Sequence, residues 1–307
     1  MQKRTVYLSS LLLVLLIFLS SCGENQKLTP PIIDEDGLAF GTPTTLDILT
    51  WNLKTFPLTP NTVDLLSDII PQMNVEIIAF QEIMEYAQFQ ALAENVPYYN
   101  AYISNATSSY RLAYLYDSRS VTVNEEYTIF NGMSNPFPRP PYVLDFTFEN
   151  KDYIVINNHL KALGDDIINE DDPWDEEVRR RSAIELLEGY ISENHDNDNV
   201  IIVGDMNDQI QETIETNIFM AFLDKPDEYM FATMPIAQNP TSATVSYPSY
   251  NNSMLDHILI TDELFEDFTA AGSICRVIRV ENQVGGLSAY YNLISDHRPV
   301  GIRLQAF

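Results

Sequence analysis

Short apolar segments rich in β-branched residues recur along the chain, and most of them end in acids, amides or imidazoles. The clearest is YIVINNH, in which a run typical of a buried strand leads into Asn157, Asn158 and His159. Buried amides and imidazoles are costly unless they are hydrogen-bonded or used for chemistry. A fold that buries such strands must therefore bring other polar groups to the same strand ends.

Segments with helical spacing separate these strands. Of the 307 residues, 45% are hydrophobic, which is enough for a substantial packed core. The alternation of buried strands and amphipathic helices predicts an α/β fold. Strands are predicted at 46–53, 75–83, 111–117, 142–149, 153–159, 199–208, 253–261 and 295–304, and helices within 59–74, 84–96 and 171–194.

The N-terminus has the pattern of an export signal. Lys3 and Arg4 precede the apolar run LLLVLLIFL at 11–19, which is too short to span a bilayer as a helix. The LSSC sequence that ends at Cys22 resembles a bacterial lipobox, with the alternative of an ordinary secretory signal and a chance cysteine.

These features predict three parts of the chain. Residues 1–21 are a lipoprotein signal peptide, 22–44 are a lipidated cysteine with a Pro- and acid-rich tether, and 45–307 are the folded domain. The expected location is the bacterial cell envelope, facing the periplasm or the exterior, with the lipid on Cys22 in the membrane. Cys275 is then left without an intramolecular disulfide partner. We expect a monomer.

The net charge of −27 opposes non-specific binding to nucleic acid, which depends on Lys and Arg at the phosphates. It suits a protein that binds divalent cations, and it does not exclude a locally basic cleft.

Polar side chains stand at six predicted strand ends, so one shared cleft is the natural explanation. They are Asn52, Glu82, Asn158 with His159, Asp205 with Asn207, Asp256, and Asp296 with His297.

The order of these stretches resembles the endonuclease/exonuclease/phosphatase superfamily of Mg-dependent phosphodiesterases, which includes deoxyribonuclease, sphingomyelinases and deadenylases. The stretches are WNL, QEI, NNHLKA, GDMND, LDHILI and SDHRPV, spread over residues 46–302. The resemblance implies a four-layer α/β sandwich of two packed mixed β-sheets flanked by helices. It also implies hydrolysis of phosphate ester bonds.

A hard cation on the phosphate suits such chemistry, and oxygen ligands suit Mg²⁺, with Mn²⁺ or Ca²⁺ as alternatives. Glu82 is the first expected ligand, supported directly or through water by Asn52. Asp296 is a candidate for a second metal ligand or a water-orienting acid.

The resemblance also implies catalytic roles. Asp205 orients or deprotonates the attacking water, and Asn207 holds the water or the phosphate. Asp256 and His297 form a carboxylate–imidazole pair, whereas His159 faces His297 across the scissile phosphate as a stabiliser or general acid.

Substrate binding is expected from Asn158, Arg139 and Arg111, although either arginine fits a surface role as well. Deoxyribonuclease-type enzymes orient the imidazole at position 159 with a glutamate. In this sequence Tyr110 stands at that position, so the pKa of His159 should be raised less.

Three substrate hypotheses remain open. Nucleic acid is favoured, and a positive groove over Arg111, Arg139 and Lys161 would support it. A phospholipid or small ester is the alternative, which a protruding aromatic loop at 284–293 would support, unless that segment packs its aromatics inward. The third is a non-catalytic surface binding module.

Overall fold

The computed structural model describes residues 37–249 and 251–305. The predicted signal peptide, Cys22 and residues 23–36 of the tether lie outside the described residues, so those predictions stay predictions. Leu38 and Phe40, also assigned to the tether, are instead buried in the smaller apolar core. The compact unit spans Glu35–Phe307, and both apolar cores lie within its described part. It therefore contains the burial needed to fold independently of the preceding residues. No helix of the described residues combines the length and the apolar character that a membrane crossing requires.

Twelve strands and seven α-helices alternate through the described residues. The strands are β1 (Thr45–Phe56), β2 (Ile77–Ile83), β3 (Tyr99–Ile103), β4 (Arg111–Asp117), β5 (Val121–Thr128), β6 (Tyr142–Phe148), β7 (Lys151–His159), β8 (Val200–Asp205), β9 (Tyr229–Phe231), β10 (Asp256–Thr261), β11 (Ile274–Val277) and β12 (Val300–Gln305). The helices are α1 (Thr62–Met73), α2 (Tyr86–Asn95), α3 (Glu176–Asn194), α4 (Met220–Leu223), α5 (Met234–Ala237), α6 (Phe265–Thr269) and α7 (Leu287–Leu293).

The strands form two mixed six-stranded sheets with helices around them, which confirms the predicted α/β sandwich. The first sheet has the order β11-β12-β1-β2-β4-β3, and the second has the order β5-β6-β7-β8-β10-β9. β6 and β7 pair antiparallel, with Tyr142 opposite Asn157.

Two apolar clusters use opposite faces of the first sheet. On β1, Leu46 and Ile48 belong to the larger cluster, which includes inner-face residues of the second sheet such as Val155 and Val203. Leu49 belongs to the smaller cluster under α1, α2 and α7. Because β1 is buried on both faces, apolar residues occur on each of them, as the adjacent Ile48 and Leu49 show.

Strand pairing brings the polar strand ends to one end of the sandwich. His159 on β7 lies opposite Asp205 on β8, and Asp256 on the antiparallel β10 lies opposite the same Asp205. In the first sheet, Asn52 pairs with Gln81 next to Glu82. We call this end, where β1, β2, β7 and β8 terminate, the polar end.

The segment 284–293 does not protrude. Its second half forms α7, and the buried Tyr290 ring places its hydroxyl against the backbone oxygen of His297 and 3.0 Å from Trp51 Nε1. The aromatic residue therefore points inward and helps to fix the start of the final polar segment.

Candidate active site

Side chains from both sheets meet at the polar end. His159 Nε2 lies 3.6 Å from Asp205 Oδ2 and 3.8 Å from Glu82 Oε1. From the other side, His297 Nε2 lies 3.9 Å from the same oxygen of Asp205. The structure therefore assembles the central residues that the sequence predicts into one cleft.

Irregular backbone on β2 and β8 shapes the two acidic positions. Glu82 has a φ of +62° at a register shift between β2 and β4, a β-bulge that redirects its side chain. Gly204, just before Asp205, has a φ of +145°, and an added Cβ would lie 2.0 Å from the Asn158 carbonyl oxygen. Only glycine permits the close approach of β7 and β8 that brings His159 beside Asp205.

Asn52 connects the two acids. Its Nδ2 donates to Asp205 Oδ2 at 2.8 Å and to Glu82 Oε1 at 3.3 Å. Its Oδ1 accepts from the Lys54 N–H at 2.8 Å, and the Thr55 N–H donates to Glu82 Oε2 at 2.8 Å. The amide thus orients both carboxylates, and its role at a metal site stays a prediction.

The predicted pair of Asp256 and His297 is present, with Nδ1 2.7 Å from Asp256 Oδ2. Burial disfavours the charged imidazole, but the charges of Asp256 and Asp205 outweigh it and raise the pKa of His297 to about 10. The Tyr247 ring lies against the imidazole with centroids 4.6 Å apart. His297 is therefore held as a cation in a fixed orientation.

The pKa of the second imidazole, His159, is shifted in the opposite direction. Burial, with the positive charges of Arg139 and His297, holds the pKa of His159 well below its usual value. Its Nδ1 is buried without a hydrogen-bond partner among the described residues, and the Tyr110 hydroxyl does not supply one. His159 is thus a neutral imidazole. The sequence predicted only a smaller rise of its pKa, whereas burial and the two neighbouring positive charges lower it.

Asp205 and Asn207 form the β8 side of the cleft. Burial raises the pKa of Asp205 to about 7, against the opposing charge of His297. Asn207 has a φ of +54°, its N–H donates to Asp205 Oδ1 at 3.1 Å, and its Nδ2 donates to the Leu160 oxygen at 3.3 Å. The turn therefore places the amide beside the carboxylate.

The predicted substrate-binding residues differ in their availability. Burial lowers the pKa of the Arg139 guanidinium, against the charges of Asp205 and Glu82 nearby, and its buried Nε lacks a partner among the described residues. Asn158 Oδ1 is likewise buried without a partner there. Arg111 instead donates to the Met84 oxygen at 2.9 Å.

Two further charged residues are already paired. Lys161 Nζ lies 3.2 Å from Glu176 Oε1, so an acid offsets one of the three cations whose groove would support a nucleic-acid substrate. Asp296 forms an ion pair with Lys54 at 2.8 Å, and its role as a second metal ligand stays a prediction.

Sequence reasoning missed a buried ion network behind the cleft. Arg180 Nε donates to Asp208 Oδ2 at 2.8 Å, and its Nη1 donates to the Lys161 oxygen at 2.9 Å and to the Leu163 oxygen. Arg180 Nη2 also contacts Glu177 Oε1 at 3.1 Å. One guanidinium therefore joins the loops that follow His159 and Asp205, and nothing in the local α3 sequence indicates this.

His257 has a structural role. Its Nε2 lies 2.9 Å from the Asp208 oxygen and its Nδ1 lies 3.2 Å from Thr233 Oγ1. It supports the β8 turn from the face opposite the cleft.

The residues at the cleft fit a hard divalent cation. Oxygen donors dominate, and the Asp256 Oδ1 atom is buried without a hydrogen-bond partner among the described residues. Donor atoms of Asp205, Asp256 and His297 lie within 4.8 Å of one another. Because a charged imidazole cannot ligate a metal, His297 is a poor ligand. The carboxylates of Glu82 and Asp205 are the better candidates.

Comparison with known proteins agrees with this arrangement. A sequence profile described as the Endonuclease/Exonuclease/phosphatase family matches residues 49–297, most of the chain. The chain belongs to this family. A search of curated proteins gives no match.

Solved structures of the family share the fold. TDP2 of D. rerio complexed with single strand DNA product is 16% identical, with a TM-score of 0.61 over 86% of this chain and 100% of that one. An endonuclease/exonuclease/phosphatase from Bacteroides vulgatus is 15% identical, with a TM-score of 0.60 over 86% of this chain and 100% of that one. The human Nocturnin catalytic domain with bound sulfate anion is 15% identical, with a TM-score of 0.59 over 85% of this chain and 93% of that one.

Proposed function

We propose that the chain is a divalent-metal-dependent phosphodiesterase that acts at the polar end. The observation that carries this proposal is the convergence of Glu82, His159, Asp205 and His297 within 3.6–3.9 Å contacts in one cleft. Several buried polar atoms beside these residues have no hydrogen-bond partner among the described residues. A bound phosphate group and a cation would supply the missing partners.

The residues divide the work of hydrolysis. Asp205, oriented by Asn52, is the group that orients the attacking water and accepts its proton. The P–O ester bond opposite the water breaks, and the leaving oxygen takes a proton from an imidazole. His297 carries that proton at neutral pH because its pKa is raised.

Neutral His159 and cationic Arg139 stabilise the phosphate oxygens as charge develops on them. A Mg²⁺ ion held by Glu82, with Mn²⁺ or Ca²⁺ as alternatives, would supply electrostatic stabilisation of the phosphate and of the leaving group.

Nucleic acid is the first substrate to test, because the solved TDP2 relative is complexed with single strand DNA product. Lys161 is paired with Glu176 and the Arg111 guanidinium is bound to a backbone oxygen, so we expect weak binding to long polyanions. Phospholipid and small phosphate esters are the alternative substrates.

Export and lipid attachment at Cys22 are part of the proposal and rest on the N-terminal sequence. Metabolic labelling with a radioactive or clickable fatty acid tests them, with Cys22→Ser as the control. Labelling of the wild-type chain alone supports the anchor, and absence of label in both contradicts it.

Turnover by the purified unit 35–307 tests the activity. Plasmid DNA, sphingomyelin vesicles and bis(4-nitrophenyl) phosphate are each incubated with Mg²⁺, Mn²⁺ or Ca²⁺ and with EDTA. Cleavage that EDTA abolishes, and that His159→Ala and Asp205→Ala both lose, supports the proposal. Cleavage that survives EDTA or either substitution contradicts it.

A further inference from the structure

The connection between α5 and β10, residues 238–255, reaches the proposed proton donor. Its half-buried Tyr247 ring packs against the His297 imidazole, with ring centroids 4.6 Å apart and 40° between the planes. Among its described residues the connection has turns and one β-bridge, between Tyr247 and Ser253, but no helix or regular strand. Contacts from other parts of the protein must therefore fix the position of Tyr247.

Arg298, two residues before β12, supplies such contacts. Its Nη1 donates to the backbone oxygen of Ser242 at 2.7 Å and to that of Val245 at 3.1 Å. Its own backbone N–H donates to the Ser246 oxygen at 2.8 Å. One arginine thus binds three backbone oxygens in the five residues that immediately precede Tyr247.

A buried acid fixes the guanidinium in turn. Arg298 and Glu281 are 2% and 3% exposed, and Arg298 Nη2 lies 2.6 Å from Glu281 Oε1. A buried guanidinium is costly without a charged partner, and the carboxylate supplies one. The ion pair and the three bonds to the backbone together specify one place for this part of the connection. We call Arg298 and Glu281 the buried clamp.

The same connection also contacts the partner of His297. Ser246 Oγ accepts from the backbone N–H groups of Leu255 and Asp256 at 3.2 Å each. The Asp256 carboxylate holds His297 at Nδ1, 2.7 Å away. A single hydrogen bond leaves an imidazole able to tilt about that bond, and the Tyr247 face removes this freedom.

We propose that Tyr247 is a positioning residue for His297, and that the buried clamp acts on His297 by setting the place of Tyr247. The ring then keeps His297 Nε2 directed into the cleft, where it lies 3.9 Å from Asp205 Oδ2. A proton donor is effective only within hydrogen-bond reach of its acceptor, so a tilted imidazole would transfer its proton poorly. The effect on catalysis rests on the proposed phosphodiesterase function, whereas the orientation of the imidazole does not.

Nuclear magnetic resonance of the unit 35–307 with isotope-labelled histidine tests the orientation without any turnover. The chain has only four histidines, so their ring C–H signals can be assigned by substitution. An aromatic ring shields protons that lie over its face, and the His297 signals should therefore move when Tyr247 is replaced by Leu. The signals of His257, which packs against Phe219 and Phe231, serve as the internal reference.

The variants separate the ring from its hydroxyl and the clamp from general stability. Tyr247→Phe keeps the ring, so the His297 signals and kcat should stay close to those of the wild-type protein. Tyr247→Leu and Arg298→Met should both shift the His297 signals and lower kcat roughly tenfold or more, with KM little changed. Arg303→Met is the matched control, because Arg303 is also buried and ion-paired but contacts Asp47. It should lower the melting temperature and leave the His297 signals in place.

Three results would overturn the proposal. They are unchanged His297 signals in Tyr247→Leu, unchanged His297 signals in a folded but less stable Arg298→Met, and a wild-type kcat in Tyr247→Leu. The second result would show that the buried clamp serves stability alone. Failure of the wild-type protein to hydrolyse bis(4-nitrophenyl) phosphate would instead count against the proposed function, and the His297 signals would still decide whether Tyr247 and the clamp orient the imidazole.

Discussion

Carboxylates lie beside both ends of strand β1. Those at its start have hydrogen-bond partners within the protein. Asp47 accepts hydrogen bonds from Thr45 Oγ1 at 2.6 Å and from Arg303 Nε at 3.1 Å. Its own N–H donates to Glu76 Oε2 at 2.9 Å. We call Asp47, Glu76 and Arg303 the closed cluster.

At the end of β1, Asn52 meets Glu82 and Asp205, and the surrounding polar groups are left incomplete. Asp256 Oδ1 and His159 Nδ1 are both buried without a hydrogen-bond partner among the described residues. The same strand thus has hydrogen-bonded acids at its start and, at its end, a group of polar residues in which some buried atoms have no partner.

This difference distinguishes buried charges that stabilise the fold from buried charges that are available to a ligand. A buried polar group that lacks a protein partner is destabilising, and it persists where a ligand supplies the partner. Substitutions in the closed cluster should therefore change stability and leave turnover intact. Substitutions at the polar end should do the reverse.

The largest expected effect is on turnover. Asp205→Asn keeps the shape of the side chain but removes the proton acceptor, so kcat should fall by roughly 10²–10⁴-fold. Asp47→Asn, the matched change in the closed cluster, should lower the melting temperature because Arg303 loses its charged partner. Steady-state kinetics and calorimetry of both variants check this, and equal losses of kcat would break the comparison.

Arg180 sharpens the comparison because it is buried and paired but supports the polar end. Arg180→Met should lower the free energy of unfolding by about 3–5 kcal/mol, since Asp208 and Glu177 keep uncompensated charges. Denaturant titration measures this. Arg181→Met is the control: its pairs with Glu170 and Glu185 are on the surface, so the loss should stay below about 1 kcal/mol. Similar losses in both would contradict the network.

Asp256→Asn tests how the polar end sets its proton donor. His297 must carry a proton, so activity is lost as pH rises through its pKa, which Asp256 helps to raise to about 10. Without that charge the pKa falls, and the alkaline limb of the kcat profile should move to lower pH by about one unit or more. An unmoved limb would show that His297 is not the donor.

The smallest expected effect is a change of stability with pH in the closed cluster. Burial and the charge of Asp47 raise the pKa of Glu76 to about 8, so the folded state binds this proton more tightly than the unfolded state. Stability should therefore fall as pH rises from about 4.5 to 8. Glu76→Gln should remove most of that fall, because it removes the titrating group, and should leave kcat unchanged. Melting curves at pH 5 and 8.5 decide it, and an identical pH dependence in both proteins would reject this assignment.

Sequence patterns predicted the elements whose signals are local. Arg111–Asp117 has the bounds of the predicted strand, and the apolar runs before Asn52, His159 and Asp205 lie where a buried strand was expected. Short polar strands were missed: β5, VTVNEEYT, has no continuous apolar run because it lies at the edge of its sheet.

Contacts between distant residues were not predictable. Arg180 is buried only because Asp208, 28 positions away, arrives beside it, and Lys161 is neutralised by Glu176 across a loop. The helical turn at 287–293 was hidden by Gly285 and Gly286, which suggested a loop. Such pairings depend on the three-dimensional arrangement rather than on local propensity.

The most direct test of the polar end is calorimetric titration of the unit 35–307 with Mg²⁺, beside Glu82→Gln and Glu76→Gln. Glu82 lies in the incomplete group of acids and Glu76 in the closed cluster. We predict that the wild-type protein and Glu76→Gln bind Mg²⁺ alike, and that Glu82→Gln binds it roughly 10–100-fold more weakly. Absence of Mg²⁺ binding by the wild-type protein, or equal binding by all three, would contradict the metal site and with it the proposed phosphodiesterase.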